Sequence, residues 1–215
     1  MIFGLIATLV CSFLMISGCT QQNSPSNQTN PPSTESLRQI LAKAEINESV
    51  YYELEISTTM SGVLVQNSTI KIWQKTPYLK EEMSSTIDNI TTIDTIIKRP
   101  EGVYRYDSIQ NRYELVPAII IPRLSTGDTA KDLLNNQTIT TIGTETIDGK
   151  TATVIQYTPS QAGNSTTMKM WIWNEKGVPL KALYTMASGE TTITMDYDYS
   201  NYSFLDIPDS IFSVE

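Results

Sequence analysis

The sequence predicts a mostly β fold of the α+β kind, a meander of about ten or eleven antiparallel strands with one helix ahead of them and a short one mid-chain. Three observations carry this. Thr (28) and Ser (21) dominate the 215 residues, with Ile and Tyr also frequent, and β-branched and aromatic side chains suit a pleated surface. Apolar residues alternate with period two along most of the chain. Short turn sequences separate the alternating runs: Ser61-Gly62, Thr76-Pro77, Gln110-Asn111, Asp148-Gly149 and Glu175-Lys176-Gly177. So many consecutive strands cannot stay flat and must curl or close.

The first element is an address. Ile2 to Ile16 is apolar and uncharged, and small Ser17 and Gly18 lead to Cys19. The run is short for a membrane span, which takes about 20 residues, and reads as a secretory signal over residues 1–18. Ile16-Ser17-Gly18-Cys19 resembles a lipobox, which implies cleavage before Cys19 and a lipid on its sulfur; an uncleaved N-terminal anchor is the alternative. Both place the body outside the cytoplasm on the cell membrane, with membrane lipid as the partner of Cys19. Residues 19–35 read as the lipidated cysteine and a Pro/Ser/Asn/Gln/Thr-rich linker without periodicity. Residues 36–215 form the β domain.

Within it, Leu37, Ile40, Leu41 and Ala44 follow helical spacing and predict a helix over Ser36–Ile46, with Ser33 or Thr34 as its cap. From Val50 the period becomes two: Val50, Tyr52, Leu54, Ile56 and Met60 share a face. Further strands follow at Val63–Lys75, Tyr78–Ser84, Asn89–Arg99, Gly102–Tyr106 and Arg112–Val116. A second helix is expected after Ser125 or Asp128, with Ala130, Leu133 and Leu134 as its apolar side. Strands resume at Thr138–Ile147 and Thr151–Tyr157 around the Asp148-Gly149 turn. Met168–Asn174 pairs with Pro179–Met186, and Ile193, Met195, Tyr197 and Tyr199 alternate in the last strand. In the stretch from Met168, Met170 and Ile172 share one face while Lys169, Trp171 and Trp173 share the other. Both faces are bulky, so each needs a cover.

Composition excludes several functions. The chain has no His and a net charge of -8. That removes the commonest general base and zinc ligand, and an acidic chain without a basic stripe does not suit nucleic acid. Ser68-x-x-Lys71 matches a serine acyl-enzyme pattern, which needs a helix; on a strand the two side chains diverge. The acidic stretch from Asp196 lacks the central Gly of a calcium loop and has Ile207 at its twelfth position. Asp94 lacks the Gly of an aspartic protease loop. No cofactor motif occurs, and the expected protein is not an enzyme.

Seven Asn-x-Ser/Thr sequons occur, at Asn27, Asn47, Asn67, Asn89, Asn136, Asn164 and Asn201. All but the linker's Asn27 are expected as exposed glycosylation sites. A lipobox with dense sequons suggests an archaeal surface glycoprotein.

The helix Ser36–Ile46, "KIWQKTPYLK" (71–80), "KMWIWNEKGVPLK" (169–181) and the ending "DYDYSNYSFLDIPDSIFSV" (196–214) together resemble the LolA/LolB family of lipoprotein carriers and related lipid-binding lipoproteins. The resemblance covers about Ser36 to Glu215. It implies an unclosed β-barrel with helices as plugs over a hydrophobic cavity, and an anchored receiver rather than a diffusing shuttle. The expected function is a membrane-anchored extracytoplasmic lipoprotein binding lipid or lipoprotein acyl chains. Tyr52, Leu54, Ile56, Met186, Met195 and Tyr197 would line the cavity, with Leu37, Ile40 and Leu41 closing one side. The alternative is a ligand-free envelope interaction or sensor module on the same fold.

Overall fold

The computed structural model describes residues 35–46, 49–87, 90–117, 130, 133, 139–157 and 165–215. The strands are β1 (Ser49–Met60), β2 (Val63–Lys75), β3 (Tyr78–Ile87), β4 (Ile90–Arg99), β5 (Gly102–Asp107), β6 (Arg112–Val116), β7 (Thr140–Ile147), β8 (Lys150–Tyr157), β9 (Ser165–Trp173), β10 (Pro179–Ser188) and β11 (Thr191–Ser203). A helix, α1 (Leu37–Ile46), precedes them, and a 3-10 turn (Asp209–Phe212) follows. All eleven strands make one sheet in the order β6-β5-β4-β3-β2-β1-β11-β10-β9-β8-β7. Every described pairing is antiparallel, so the expected unclosed meander is what forms. Its seam is the pairing of the first strand with the last, with Leu54 opposite Tyr199 and Ile56 opposite Tyr197.

The helix begins one turn later than its expected caps, which lie outside the described residues. Ser36 caps it instead. Its Oγ accepts the Gln39 amide at 3.4 Å while Gln39 Oε1 accepts the Ser36 amide at 2.9 Å. This is a capping box, which satisfies two donors left unpaired by helix geometry. Of the mid-chain helix, Ala130 and Leu133 are helical as expected, and Leu134 lies outside the described residues. The Asp148-Gly149 turn has positive φ at both residues, 47° and 75°, the backbone a two-residue hairpin requires. Several strand ends differ from the pattern by one to three residues: β7 starts at Thr140 rather than Thr138, β9 at Ser165 rather than Met168, β3 runs past Ser84 to Ile87, and β10 past Met186 to Ser188.

Each face of the sheet has its own cover. Ile40, Leu41 and Ala44 of α1, with Ala130, pack on Ile155, Met170, Ile172 and Ala182 of β8–β10. We call this the inner face. Gly177 in the β9–β10 turn lets α1 approach: a Cβ there would lie 2.3 Å from the Ile40 carbonyl oxygen, and φ is +73°. On the outer face of β1–β5 the C-terminal tail does the covering. Ile207 and Phe212 are buried with Ile97, against Trp73 and Tyr78. Lys75 Nζ holds that tail through the Ile207 carbonyl at 2.9 Å and Asp209 at 2.8 Å.

The outer face of β9 is covered by its own charges. Trp171 is buried beside Ala152, Val154 and Leu180. Its indole N–H donates to Glu145 Oε2 at 2.7 Å, and Lys169 Nζ lies 4.3 Å from its ring centroid. The lysine stem thus roofs apolar surface while its ammonium stays wet. Trp173 meets Lys150 at 5.4 Å and the rings of Tyr202 and Phe204.

Candidate functional site

Register decides which residues meet. Leu54 pairs with Ile70 and Tyr199, and Ile56 pairs with Ser68 and Tyr197. Beyond them Tyr197 pairs with Ala182, Tyr184 with Met195 and Met186 with Ile193. Period-two alternation then puts Tyr52, Leu54, Ile56, Met186, Met195 and Tyr197 on one face. This is the inner face, because Ala182 lies in the cluster under α1. All six strand residues expected at a common site therefore share a surface. Leu37, Ile40 and Leu41 of α1 pack on that surface over β8–β10.

The nine do not share one environment. Tyr52, Leu54, Ile40 and Leu41 are fully buried, whereas Ile56, Met186, Met195, Tyr197 and Leu37 are half-buried. Seven of them belong to two clusters, one under α1 and one formed by Val50, Tyr52, Leu54, Ile70, Ile72 and Leu79, and Met186 and Met195 belong to neither. Tyr197, Tyr199, Tyr202 and Phe204 pack against both. A ladder of rings joins them: Tyr52 stacks on Tyr202 at 5.3 Å between centroids, and Tyr202 stacks on Phe204 at 5.8 Å. Tyr202 donates its hydroxyl proton to the Pro179 carbonyl at 2.6 Å. Burial holds the Tyr52 and Tyr202 phenols well above their ordinary range, so both stay neutral. Tyr197 donates to Met195 Sδ at 3.2 Å. The half-buried end is thus apolar and polarisable, built from thioethers, a branched aliphatic and a phenol.

The inner face also holds a carboxyl that the alternation pattern passed over. Glu81 sits between Ile72 of β2 and Ile96 of β4. It is buried, and its Oε1 has no hydrogen-bond partner. Desolvation pushes its pKa up to about 7. The signal was present in the sequence: Leu79, Glu81 and Met83 alternate, which places the acid on the apolar side of β3. Nearby, Ser68 and Ser85 are buried and hydrogen-bond each other at 2.8 Å. That bond fixes Ser68 on the inner face, while Lys71, an odd number of residues away, falls on the outer one, so the acyl-enzyme pattern does not assemble.

Asp196 and Asp198 lie on the outer face and pair with Lys181 at 3.1 and 3.4 Å. Among the described residues no group of three or more His, Cys, Asp or Glu side chains converges as a metal site. Of the sequons, Asn201 is exposed and its amide donates to Glu53 at 2.9 Å. Asn67 is half-buried and its amide reaches Glu55 at 3.4 Å. Asn47, Asn89, Asn136, Asn164 and Cys19 lie outside the described residues.

No family model matches the chain, and no curated protein does. Solved structures do. A chain of the MucA/MucB complex of Pseudomonas aeruginosa aligns over 83% of this chain and 61% of that one, with TM-score 0.50 and 14% identity. This chain has that fold. LprF from Mycobacterium bovis aligns over 80% of this chain and 95% of its own, with TM-score 0.46 and 14% identity. The Mycobacterium tuberculosis lipoprotein LppX aligns over 77% and 94%, with TM-score 0.42 and 13% identity.

Proposed function

We propose that the chain is an extracytoplasmic lipoprotein, anchored to the cell membrane through Cys19 after removal of residues 1–18, that holds lipid or lipoprotein acyl chains on its inner face. Residues 19–35 act as the linker and 36–215 as the binding domain. One observation carries the reading: Ile56, Met186, Met195 and Tyr197 form a half-buried apolar end to a face whose other end is sealed. An alkyl chain laid there leaves water at about 0.8 kcal/mol per methylene. Flexible thioethers adapt to such a chain better than a rigid packed core does.

The test is native mass spectrometry of the protein taken from its own host membranes. The binding reading expects two additions, one covalent at Cys19 and one lost on organic extraction. A chain bearing the covalent lipid alone, or none, contradicts the binding reading.

A second reading has its own support. The MucA/MucB structure is a complex of two proteins, so the shared fold is compatible with a partner protein in place of a lipid. An envelope interaction module without ligand would show no extractable lipid and would retain a protein in crosslinked membranes.

A further inference from the structure

The strands have two chemically different ends. One rim is formed by the end of β1 and start of β2, the end of β3 and start of β4, the end of β10 and start of β11, the start of β9, the end of β8 and the start of β7. The described residues of these segments are 57–60, 63–68, 84–87, 90–93, 140–144, 155–157, 165–168, 184–188 and 191–195. None of them is Asp, Glu, Lys or Arg. They are Thr, Ser, Gln, Asn and aliphatics, with two tyrosines. Glu190, in the β10–β11 turn, is the charge described among the turns that join them. The short β5–β6 tip is different, with Asp107 and Arg112 beside exposed Ile109. At the other end of the strands lie Lys71, Lys75, Lys80, Glu82, Lys98 and Arg99, among others.

The charge-poor rim is also where large apolar side chains face water. Val63 is 65% exposed, Leu64 60% and Ile90 69%; Met60, Ile87 and Ile142 are exposed as well. Met60, Val63, Leu64, Ile87 and Ile90, on the adjacent β1–β2 and β3–β4 hairpins and bordered by hydroxyls, make an apolar patch that water does not explain. The patch adjoins the half-buried end of the inner face, since Met60 pairs with Ile193 and Ile193 with Met186.

We propose that this rim is the surface the protein lays on a lipid bilayer, so that the half-buried end of the inner face opens toward the membrane. The proposal rests on the anchored-lipoprotein reading and adds an orientation to it. Charge favours this pose. The protein carries -8, and an anionic bilayer repels it least through the end whose described residues bear the least charge, Asp88 of the β3–β4 connection lying outside the described residues. Reach permits it. Sixteen residues, from Cys19 to Thr34, precede the described domain, and a chain of that length extends to roughly 55 Å at most. That is enough slack for a domain of this size to turn any face downward. The hydroxyl-rich border suits the interfacial layer, and Val63, Leu64 and Ile90 suit the acyl layer beneath it; a glycan on Asn89, next to Ile90, would hold this tip off the bilayer, so the pose requires that sequon to be unmodified.

The experiment uses the full chain with Cys11→Ser, reconstituted in phosphatidylcholine vesicles containing doxyl-labelled phosphatidylcholine. An environment-sensitive fluorophore is placed at Leu64→Cys on the rim or at Glu175→Cys in the β9–β10 turn at the far end. The proposal expects blue-shifted emission and at least twofold quenching at position 64, and neither at 175. Adding Ile87→Glu and Ile90→Glu to the Leu64→Cys chain should abolish the quenching while the anchor keeps the protein on the vesicles. Vesicle-bound protein whose position 64 stays in water overturns the proposal and leaves the anchor standing. So does a position 64 that is shielded but unquenched and crosslinks to position 64 of a second copy. A chain that stays off the vesicles overturns the rim and the anchor together.

Discussion

The two ends of the inner face are made by the same strands and meet opposite fates. Along β1, Tyr52 and Leu54 are sealed, while Ile56, two residues on, is half-buried and Met60 is exposed. Along β11, Tyr199 and Tyr197 pack against both clusters, while Met195 belongs to neither. The alternation of apolar residues is only thinned at the half-buried end, by Thr58 on β1 and Ser68 on β2. The difference lies in what arrives from elsewhere: α1 covers β8–β10, and the Tyr52–Tyr202–Phe204 ladder closes the seam near the turn ends of β9 and β10. A strand pattern says which side is apolar. Whether that side becomes core or binding surface depends on the cover.

The largest effect should separate the ends directly. Leu54→Ala removes a fully buried side chain and should cost 2–5 kcal/mol in a denaturant titration, about the range for core truncations. Ile56→Ala, at the half-buried end, should cost less than half as much. Equal costs would mean that both ends are core.

Glu81 sharpens the contrast from inside the apolar face. Its folded pKa is raised to about 7 from 4.5, so the native state keeps a proton that the unfolded chain releases. Stability due to this group is therefore full below about pH 4.5 and declines as pH rises toward about 7, by up to about 3 kcal/mol. Glu81→Gln should flatten that portion of the curve of unfolding free energy against pH. A difference between the two proteins that is independent of pH would show that Glu81 is solvated.

Ser36→Ala should cost about 1 kcal/mol by removing the capping box of α1, and with it loosen the cover over Ile172 and Met170. The measurement is the thermal midpoint, together with amide exchange in α1. The smallest effect belongs to the rim. Leu64→Gln should leave stability within about 0.5 kcal/mol, because the side chain already faces water.

Much of the fold was legible in the sequence because each strand advertises itself locally. The turn pair Asp148-Gly149 and the alternation Ile193, Met195, Tyr197, Tyr199 needed no tertiary knowledge. The helix was legible from Leu37, Ile40, Leu41 and Ala44, but its cap was misplaced, because the Pro-rich approach drew attention away from the Ser36–Gln39 box. The common face of Tyr52, Leu54, Ile56, Met186, Met195 and Tyr197 followed from alternation plus closure of the first strand on the last. The division of that face into sealed and open ends was not legible. It depends on distant covers, α1 and the Tyr52–Tyr202–Phe204 ladder, whose docking no local pattern encodes. Glu81 was missed because a charged residue inside a charged stretch, Lys80-Glu81-Glu82, reads as solvent-facing unless the strand phase is followed residue by residue.

The central claim is that the half-buried end of the inner face takes an alkyl chain. Its most direct test is the affinity of the delipidated full-length protein for saturated fatty acids of increasing length, read by displacement of a fluorescent fatty acid. Burial at about 0.8 kcal/mol per methylene predicts that Kd falls by roughly two- to fourfold with each added methylene until the site is filled. Met195→Trp should lower the length at which the gain stops. Affinity that does not change with chain length, or a fluorescent fatty acid that does not bind, would contradict the account.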